Sequence, residues 1–366
     1  GKMLLYETRK FDIKTSVLDP SKNAPCKIAC DTFEVGDLMD FETVYDFGKK
    51  VDVLTFEIEH VNIDALEALE KEGITVYPSS NTLRNINDKI TQKQFYQAHQ
   101  IPTSAFHAFN SKDELIVAIN KYEVRYPFVW KQSTGGYDGM GVCIVRNKED
   151  LANVKDTPCI AEKLIPFVNE LAVIVSRNPN GEVASYPVVE MEFHPEANQV
   201  EYVICPARIE NNIAARAKKI AEKVSNSFEH VGLLAVELFQ TEEGEILVNE
   251  VAPRPHNSGH FSIEGSLTNQ FEQHIRAILN LPLGNTKSKI DAIMVNLVGE
   301  EGYTGDAHYK NLEQILSLEG VTPHIYGKKQ TRPFRKMGHV TIVNNDISKA
   351  RKIAEVVKNT IKVINR

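Results

Sequence analysis

The hydrophobic and polar positions in the first part of the chain form short strand-like runs separated by helix-like ones. Residues 14–18 read as a strand ending in Asp19-Pro20, and residues 51–57 (Val-Asp-Val-Leu-Thr-Phe-Glu) as a second. Residues 64–71 read as a helix, and 74–77 as a third strand stopped by Pro78. Strands alternating with helices imply a parallel sheet. Residues 1–10 read as the body of a helix with no strand ahead of it, whereas such a layer normally opens on a strand. The pattern therefore predicts that the first strand, and the turn into this helix, lie before residue 1.

Residues 79–87 read as a boundary. Asn87 or Asp88 can cap a helix over 89–99 that ends before Ile101-Pro102, and a second helix is expected over 111–121, with Asp113 and Glu114 in its first turn. Strands follow at 126–130, 142–145, 159–164, 170–176, 183–189 and 202–205, with Asn180-Gly181 as a hairpin turn. Residues 211–230 form a long amphipathic helix, and 233–240 and 245–251 two more strands. From residue 281 the chain reads as a third unit, with strands at 292–297 and 339–343 and a helix over 348–363. The expected class is α/β and α+β, in units 1–84, 85–280 and 281–366.

Composition narrows the function classes. The 366 residues leave room for two or three domains. A net charge of −7 and a pI near 5.9 argue against nonspecific nucleic-acid binding. No apolar stretch is long enough to span a membrane, and the N-terminus lacks the apolar core of a signal peptide. The five cysteines (Cys26, Cys30, Cys143, Cys159, Cys205) are scattered and form no C-x-x-C pair, which reads as reduced thiols in a cytoplasm.

Candidate chemistry begins at residues 130–142, Trp-Lys-Gln-Ser-Thr-Gly-Gly-Tyr-Asp-Gly-Met-Gly-Val. Lys131 closes an apolar strand, Gly135, Gly136, Gly139 and Gly141 follow, and a second strand opens at Val142. Glycines let a backbone approach a ligand and turn successive N–H groups inward. A glycine-rich loop between antiparallel strands is neither a Walker nor a Rossmann loop, which join a strand to a helix. It has the layout of a flap closing over phosphates; the bland alternative is a mobile hairpin.

The strands 233–240 and 245–251 carry a second signal. A turn centred on Glu243-Gly244 would set Glu237 opposite Glu250, with Cβ atoms about 5 Å apart. Two carboxylates there repel unless a cation lies between them, and Mg²⁺ is held by one or two carboxylates plus substrate phosphates. The alternative is two edge glutamates facing water, which the apolar neighbours oppose. Immediately afterwards, Ala252-Pro-Arg-Pro-His-Asn-Ser-Gly-His260 places Arg254, His256, Asn257 and Ser258 in a proline-stiffened loop suited to a phosphate or carboxylate. Residues 328–336 carry five positive charges in nine positions, either an anion site or a solvated loop. Sparse aromatic interleaving disfavours nucleic acid there.

Together the flap 131–142, Glu162-Lys163-Leu164-Ile165 followed by Glu170, the Glu237 and Glu250 pair and the Arg254–His260 loop resemble the ATP-grasp superfamily. Asn249-Glu-Val-Ala-Pro-Arg-Pro-His-Asn-Ser-Gly-His260, with Gly135-Gly-Tyr-Asp-Gly139 and Arg332-Pro-Phe-Arg-Lys-Met-Gly-His339, resembles the N5-carboxyaminoimidazole ribonucleotide synthetases of purine synthesis, over essentially the whole chain. Gly1-Lys2-Met3 looks like the tail of that family's opening glycine-rich loop. The resemblance implies an ATP-grasp fold with an N-terminal α/β domain and a small C-terminal domain. It implies ATP-dependent carboxylation of 5-aminoimidazole ribonucleotide by bicarbonate through carboxyphosphate, with Mg²⁺ (Mn²⁺ as a substitute) and a homodimer. By the same resemblance, ATP is held by Lys89, Lys131, the flap residues Gly136, Tyr137, Asp138, Gly139, Met140, Gly141 and Val142, the adenine-framing Glu162, Lys163, Leu164 and Ile165, the ribose-binding Glu170, and Asn249 and Glu250. Glu237 and Glu250 would hold the metal. Tyr137, Asp138, Arg254, His256, Asn257, Lys328 and Arg335 would meet the second substrate, with Asp138, Arg254, His256, Lys328 and Arg335 acting in catalysis.

Three positions depart from the pattern. Lys89 stands where an arginine is expected, keeping charge but losing the fork geometry. Met140 replaces a flap lysine, and Ala252 an asparagine that many ATP-grasp enzymes carry, though this family's own motif also has alanine there. The rival readings are another ATP-grasp ligase, such as a formate-dependent glycinamide ribonucleotide transformylase, and a nucleotide-binding protein without catalysis.

Overall fold

The computed structural model describes residues 1–136, 141–194 and 199–366. The pairing near the N-terminus is parallel, as the alternating pattern predicts, but in two separate two-stranded sheets. Ser16–Asp19 pairs with Thr32–Val35, and Val53–Leu54 with Thr75–Val76. The apolar run 51–57 thus contributes only two ladder residues. Helices Phe41–Gly48 and Ile63–Lys71, capped by the Asp40 and Asn62 side chains, bury Val44, Phe47, Leu66 and Leu69 against Leu54 and Val76. A Cβ on Gly48 would stand 2.3 Å from the Leu69 Cδ1 methyl, so the two helices meet at a glycine.

The stretch read as a boundary is itself the helix Ser80–Asn87, with Ser79 accepting from the Thr82 N–H. Asp88, in an extended conformation, breaks it and caps the next helix, Lys89–Ala98. A four-stranded antiparallel sheet follows in the order Phe106–Phe109, Cys159–Lys163, Phe128–Gln132, Val142–Val145. Trp130 and Phe128 are buried on it against Leu115 and Ala118 of the helix Lys112–Asn120.

The largest sheet has nine strands. Ile246–Ala252 lies at one end, followed by Gly232–Thr241, Phe167–Arg177, Val189–Phe193, Val200–Cys205, Asp291–Val298, Lys336–Asn344 and Val321–Ile325, with Val183–Ser185 paired to Phe167–Arg177. The expected strand 183–189 is two strands, because Pro187 has no N–H to give the ladder. The chain after residue 281 therefore continues the sheet of the preceding segment, through Asp291–Val298 against Val200–Cys205. Helix Asn211–Ser227 buries Ile213, Ala217, Ala221 and Val224 on one face of the sheet, and helix Ile347–Thr360 buries Ala350, Ala354 and Val357 against the later strands. That last helix ends at Thr360, short of the expected 363, and Lys362–Asn365 forms a strand against Gly305–Lys310.

Leu69 is fully buried and cannot move aside for a new side chain. Gly48→Val should therefore destabilise the protein by roughly 1–3 kcal/mol, read as a lowered melting temperature. An unchanged melting temperature would contradict the close helix contact.

Candidate active site

Residues of a strand alternate between faces. Leu234, Val236 and Leu238 face the helix Asn211–Ser227, and Leu233 and Ala235 face the opposite side, which is also the side of Glu237. The hairpin turn is centred on Glu243 alone, half a residue earlier than a Glu243-Gly244 centre. Thr241 N donates to the Glu245 carbonyl (3.0 Å), and Gly244 takes a positive φ of 77°. The ladder then pairs Gln240 with Ile246, Phe239 with Leu247 and Leu238 with Val248. That register alone would bring Asn249 opposite Glu237. A bulge between Glu237 and Leu238 shifts the register by one residue and restores the Glu237–Glu250 pairing.

The two carboxylates differ in environment. Glu237 is 16% exposed, and burial followed by the charge of Glu250 pushes its carboxyl up to about 8. Glu250 is 45% exposed, and the Lys89 ammonium at 3.0 Å holds it well below the usual carboxylate range. Glu170 lies on the neighbouring strand Phe167–Arg177, where burial and Glu250 raise it to about 7. Among the described residues no group of three or more His, Cys, Asp or Glu side chains is set to hold a metal ion by itself. The electrostatic burden on Glu237 nonetheless fits a divalent cation that takes its remaining ligands from nucleotide phosphates.

The flap hairpin closes where Gln132 N donates to the Gly141 carbonyl (2.8 Å), with Lys131 opposite Val142 and positive φ at Gly135 and Gly141. The expectations for Tyr137, Asp138, Gly139 and Met140 lie outside the described residues, which break off at Gly136 and resume at Gly141. At the base of the flap, Lys131 Nζ reaches Asn249 Oδ1 (2.9 Å) and Glu162 Oε2 (3.1 Å). The side chain of Glu162, read as adenine-framing, is buried between Lys131 and Lys93. Burial pushes its carboxyl up, but Lys131 and Lys93 outweigh this and hold it below the ordinary value. Strand pairing ends at Lys163, and Leu164 and Ile165 form the half-buried link to the next strand.

The loop after Glu250 meets the carboxylate pair. His256 Nε2 is 3.7 Å from Glu237 Oε1. Its Nδ1 accepts the Ser258 N–H, so the neutral ring carries its proton on Nε2, toward Glu237. Burial, then Arg254 and Lys336, keeps it neutral by lowering its pKa to about 3. Arg254 pairs with Glu59 (2.8 Å), and Asn257 exchanges amide hydrogen bonds with Asn296. Lys328 Nζ donates to the Lys336 carbonyl and Arg335 Nη1 to the Gln330 carbonyl, bonds that stay within their own loop.

Four residues escaped the sequence reading. Gln270 is fully buried and exchanges two 2.9 Å hydrogen bonds with the His256 backbone. A Cβ at Gly259 would lie 2.4 Å from the Gln270 amide oxygen, which explains that glycine. Lys336, passed over within the basic run, lends its charge to Glu237 and His256. Glu59 and Lys93 carried no motif; only their pairing in space singles them out.

Known proteins share this arrangement. Residues 1–87 match the ribonucleotide synthetase preATP-grasp domain, 94–271 the ATP-grasp domain, and 292–353 the phosphoribosylaminoimidazole carboxylase C-terminal domain. The fold is thus ATP-grasp with a preATP-grasp domain ahead of it and a C-terminal domain behind. The N5-carboxyaminoimidazole ribonucleotide synthase of Bacillus subtilis is 36% identical over 348 residues, covering 94% of this chain and 88% of that protein. The crystal structure of N5-carboxyaminoimidazole ribonucleotide synthetase from Thermotoga maritima superposes with a TM-score of 0.90 at 42% identity, covering 100% of this chain and 96% of that one. The Aspergillus clavatus synthase, crystallised with ADP and 5-aminoimidazole ribonucleotide, gives 0.90 at 32% identity, covering 98% and 95%. The chain belongs to the N5-carboxyaminoimidazole ribonucleotide synthase family. It spans 62–63% of the length of the phosphoribosylaminoimidazole carboxylases of Saccharomyces cerevisiae and Candida albicans, which it also matches.

Glu237 ionises in the unfolded chain above its ordinary 4.5 but in the native protein only near 8, so it lowers stability increasingly as pH rises between these values. Glu237→Gln should therefore stabilise the ligand-free protein at pH 8, by roughly 1–3 kcal/mol, and leave it nearly unchanged at pH 5. Equal denaturation midpoints for variant and wild type at both pH values would contradict the burden assigned to this carboxylate.

Proposed function

We propose that this chain carboxylates the 5-amino group of 5-aminoimidazole ribonucleotide with bicarbonate, at the expense of ATP. The observation that carries this reading is the meeting of Glu237 with His256: a carboxylate pair fit for a nucleotide-bound metal stands beside a loop rich in anion-binding groups. The family membership and the ligands named for the Aspergillus clavatus structure support the same chemistry.

In this reading a bicarbonate oxygen attacks the γ-phosphorus, and ADP leaves with the electrons of the bond that breaks. The resulting carboxyphosphate yields its carboxyl group to the amine; the new N–C bond replaces the C–O bond to phosphate, which departs carrying the amine proton. Lys89, Lys131 and the flap amides from Gly136 to Val142 hold the phosphates. Glu162, Lys163, Leu164 and Ile165 frame the adenine, Glu170 takes the ribose hydroxyls, and Asn249 orients Lys131. Mg²⁺, held by Glu237 and Glu250, would neutralise charge on the transferring phosphoryl group. Neutral His256 donates from Nε2, and Arg254 turns from Glu59 to an incoming anion. Asn257, Lys328, Arg335 and Lys336 complete the anion surface, and by the family resemblance Tyr137 and Asp138 would meet the second substrate. Closure of the flap excludes water from a short-lived acyl phosphate. A homodimer belongs to the same reading through the family resemblance.

ADP release should require both 5-aminoimidazole ribonucleotide and bicarbonate. Turnover with formate and glycinamide ribonucleotide instead would overturn the proposal. Lys336→Met should lower kcat/KM for the aminoimidazole substrate by about tenfold to a hundredfold and change KM for MgATP by no more than about twofold. Equal losses for both substrates would remove Lys336 from the anion surface.

A further inference from the structure

Lys93 belongs to no motif, yet its side chain is only 2% exposed. A buried ammonium needs its three donors satisfied. Here Nζ lies 2.9 Å from Glu162 Oε1, 2.5 Å from Thr103 Oγ1 and 3.3 Å from Ser104 Oγ. Each of the first two partners leads onward. Glu162 gives its other oxygen to Lys131, which also bonds Asn249. Thr103 passes its own proton to the Val248 carbonyl (2.7 Å), one residue before Asn249. The contacts therefore close a ring: Lys93, Glu162, Lys131, Asn249, the peptide to Val248, Thr103 and back to Lys93. The ring joins the helix Lys89–Ala98, the flap sheet and the outermost strand of the large sheet, which carries Glu250.

We propose that Lys93 is a positioning residue for the nucleotide: by balancing one oxygen of Glu162, it keeps Lys131 from being captured by that carboxylate and leaves its charge for the ATP phosphates. This rests on the reading that the nucleotide binds at Lys131. Burial pulls the Lys93 ammonium down to about 8, while Glu162 pulls it back up, so it is mostly charged at neutral pH. With Lys93 removed, Glu162 has Lys131 as its sole remaining cation among these contacts, and a phosphate must compete with a buried carboxylate for it. A purely structural Lys93 would instead lower stability and leave nucleotide affinity alone.

The test uses the full chain and MgADP titrated by calorimetry, together with steady-state kinetics. Lys93→Met should raise the MgADP dissociation constant and KM for MgATP by roughly tenfold or more, with kcat and KM for the second substrate within about twofold. Lys93→Met combined with Glu162→Gln should bind MgADP more tightly than Lys93→Met alone, because the competing carboxylate is gone. A folded Lys93→Met with wild-type MgADP affinity, or a double variant no tighter than the single, overturns the proposal. Should Lys93→Met fail to fold, Thr103→Val decides: it loosens the ammonium without removing it and should raise KM for MgATP by about two- to fivefold, and no change there overturns the proposal equally. Wild-type protein that binds no MgADP at all would instead refute the nucleotide site itself.

Discussion

Two glutamates opposite each other on adjacent strands are the constraint around which the centre of this molecule is arranged. Like charges at that distance destabilise a sheet, and here one of the pair is also largely buried. The protein separates their behaviour. Lys89 compensates Glu250, and Glu237 is left raised toward neutrality. The strand geometry that creates the conflict is specific, since it needs a bulge beside Leu238 to bring Glu250 rather than Asn249 opposite Glu237. A bulge that re-aims one side chain while the ladder continues on both sides is a common device next to functional sites.

The same bulge gives Asn249 a task. Its side chain takes one donor of Lys131, so the flap sheet and the large sheet are tied where the nucleotide phosphates are assigned. Lys89, Lys93 and Lys131 pair with Glu162 and Glu250 there, an excess of one positive charge within this set. That imbalance suits a polyanion that arrives with its own divalent cation. Beyond the strand ends, Gln270 clamps the backbone of His256, which fixes the neutral imidazole beside Glu237. In the proposed reading, nucleotide chemistry and anion recognition share one boundary residue, Glu237.

Much of this was legible from residue order, and the exceptions have physical causes. The flap could be read because glycines, a lysine and flanking β-branched residues are all local signals. The Glu237–Glu250 pairing was read from an assumed turn centre one half-step from the real one, and the bulge compensated for it; neither irregularity has a local signature in 241–250. The boundary expected over 79–87 contains the helix Ser80–Asn87, which went unread because its polar composition hides a narrow apolar stripe, Leu83 and Ile86. Lys93 carried no motif, and Glu59 and Gln270 act on groups that only the fold brings beside them. In the basic run 328–336, composition marked the segment, but only tertiary placement singles out Lys336, whose charge reaches Glu237 and His256.

The central claim is that Glu237 and Glu250 jointly hold a nucleotide-bound divalent cation. Electron paramagnetic resonance of Mn²⁺ titrated into the protein with ADP tests it most directly. Wild-type protein should immobilise about one Mn²⁺ per chain when ADP is present, and Glu237→Gln and Glu250→Gln should each lose most of that bound signal while remaining folded. Unchanged Mn²⁺–ADP binding in both folded variants would contradict the account.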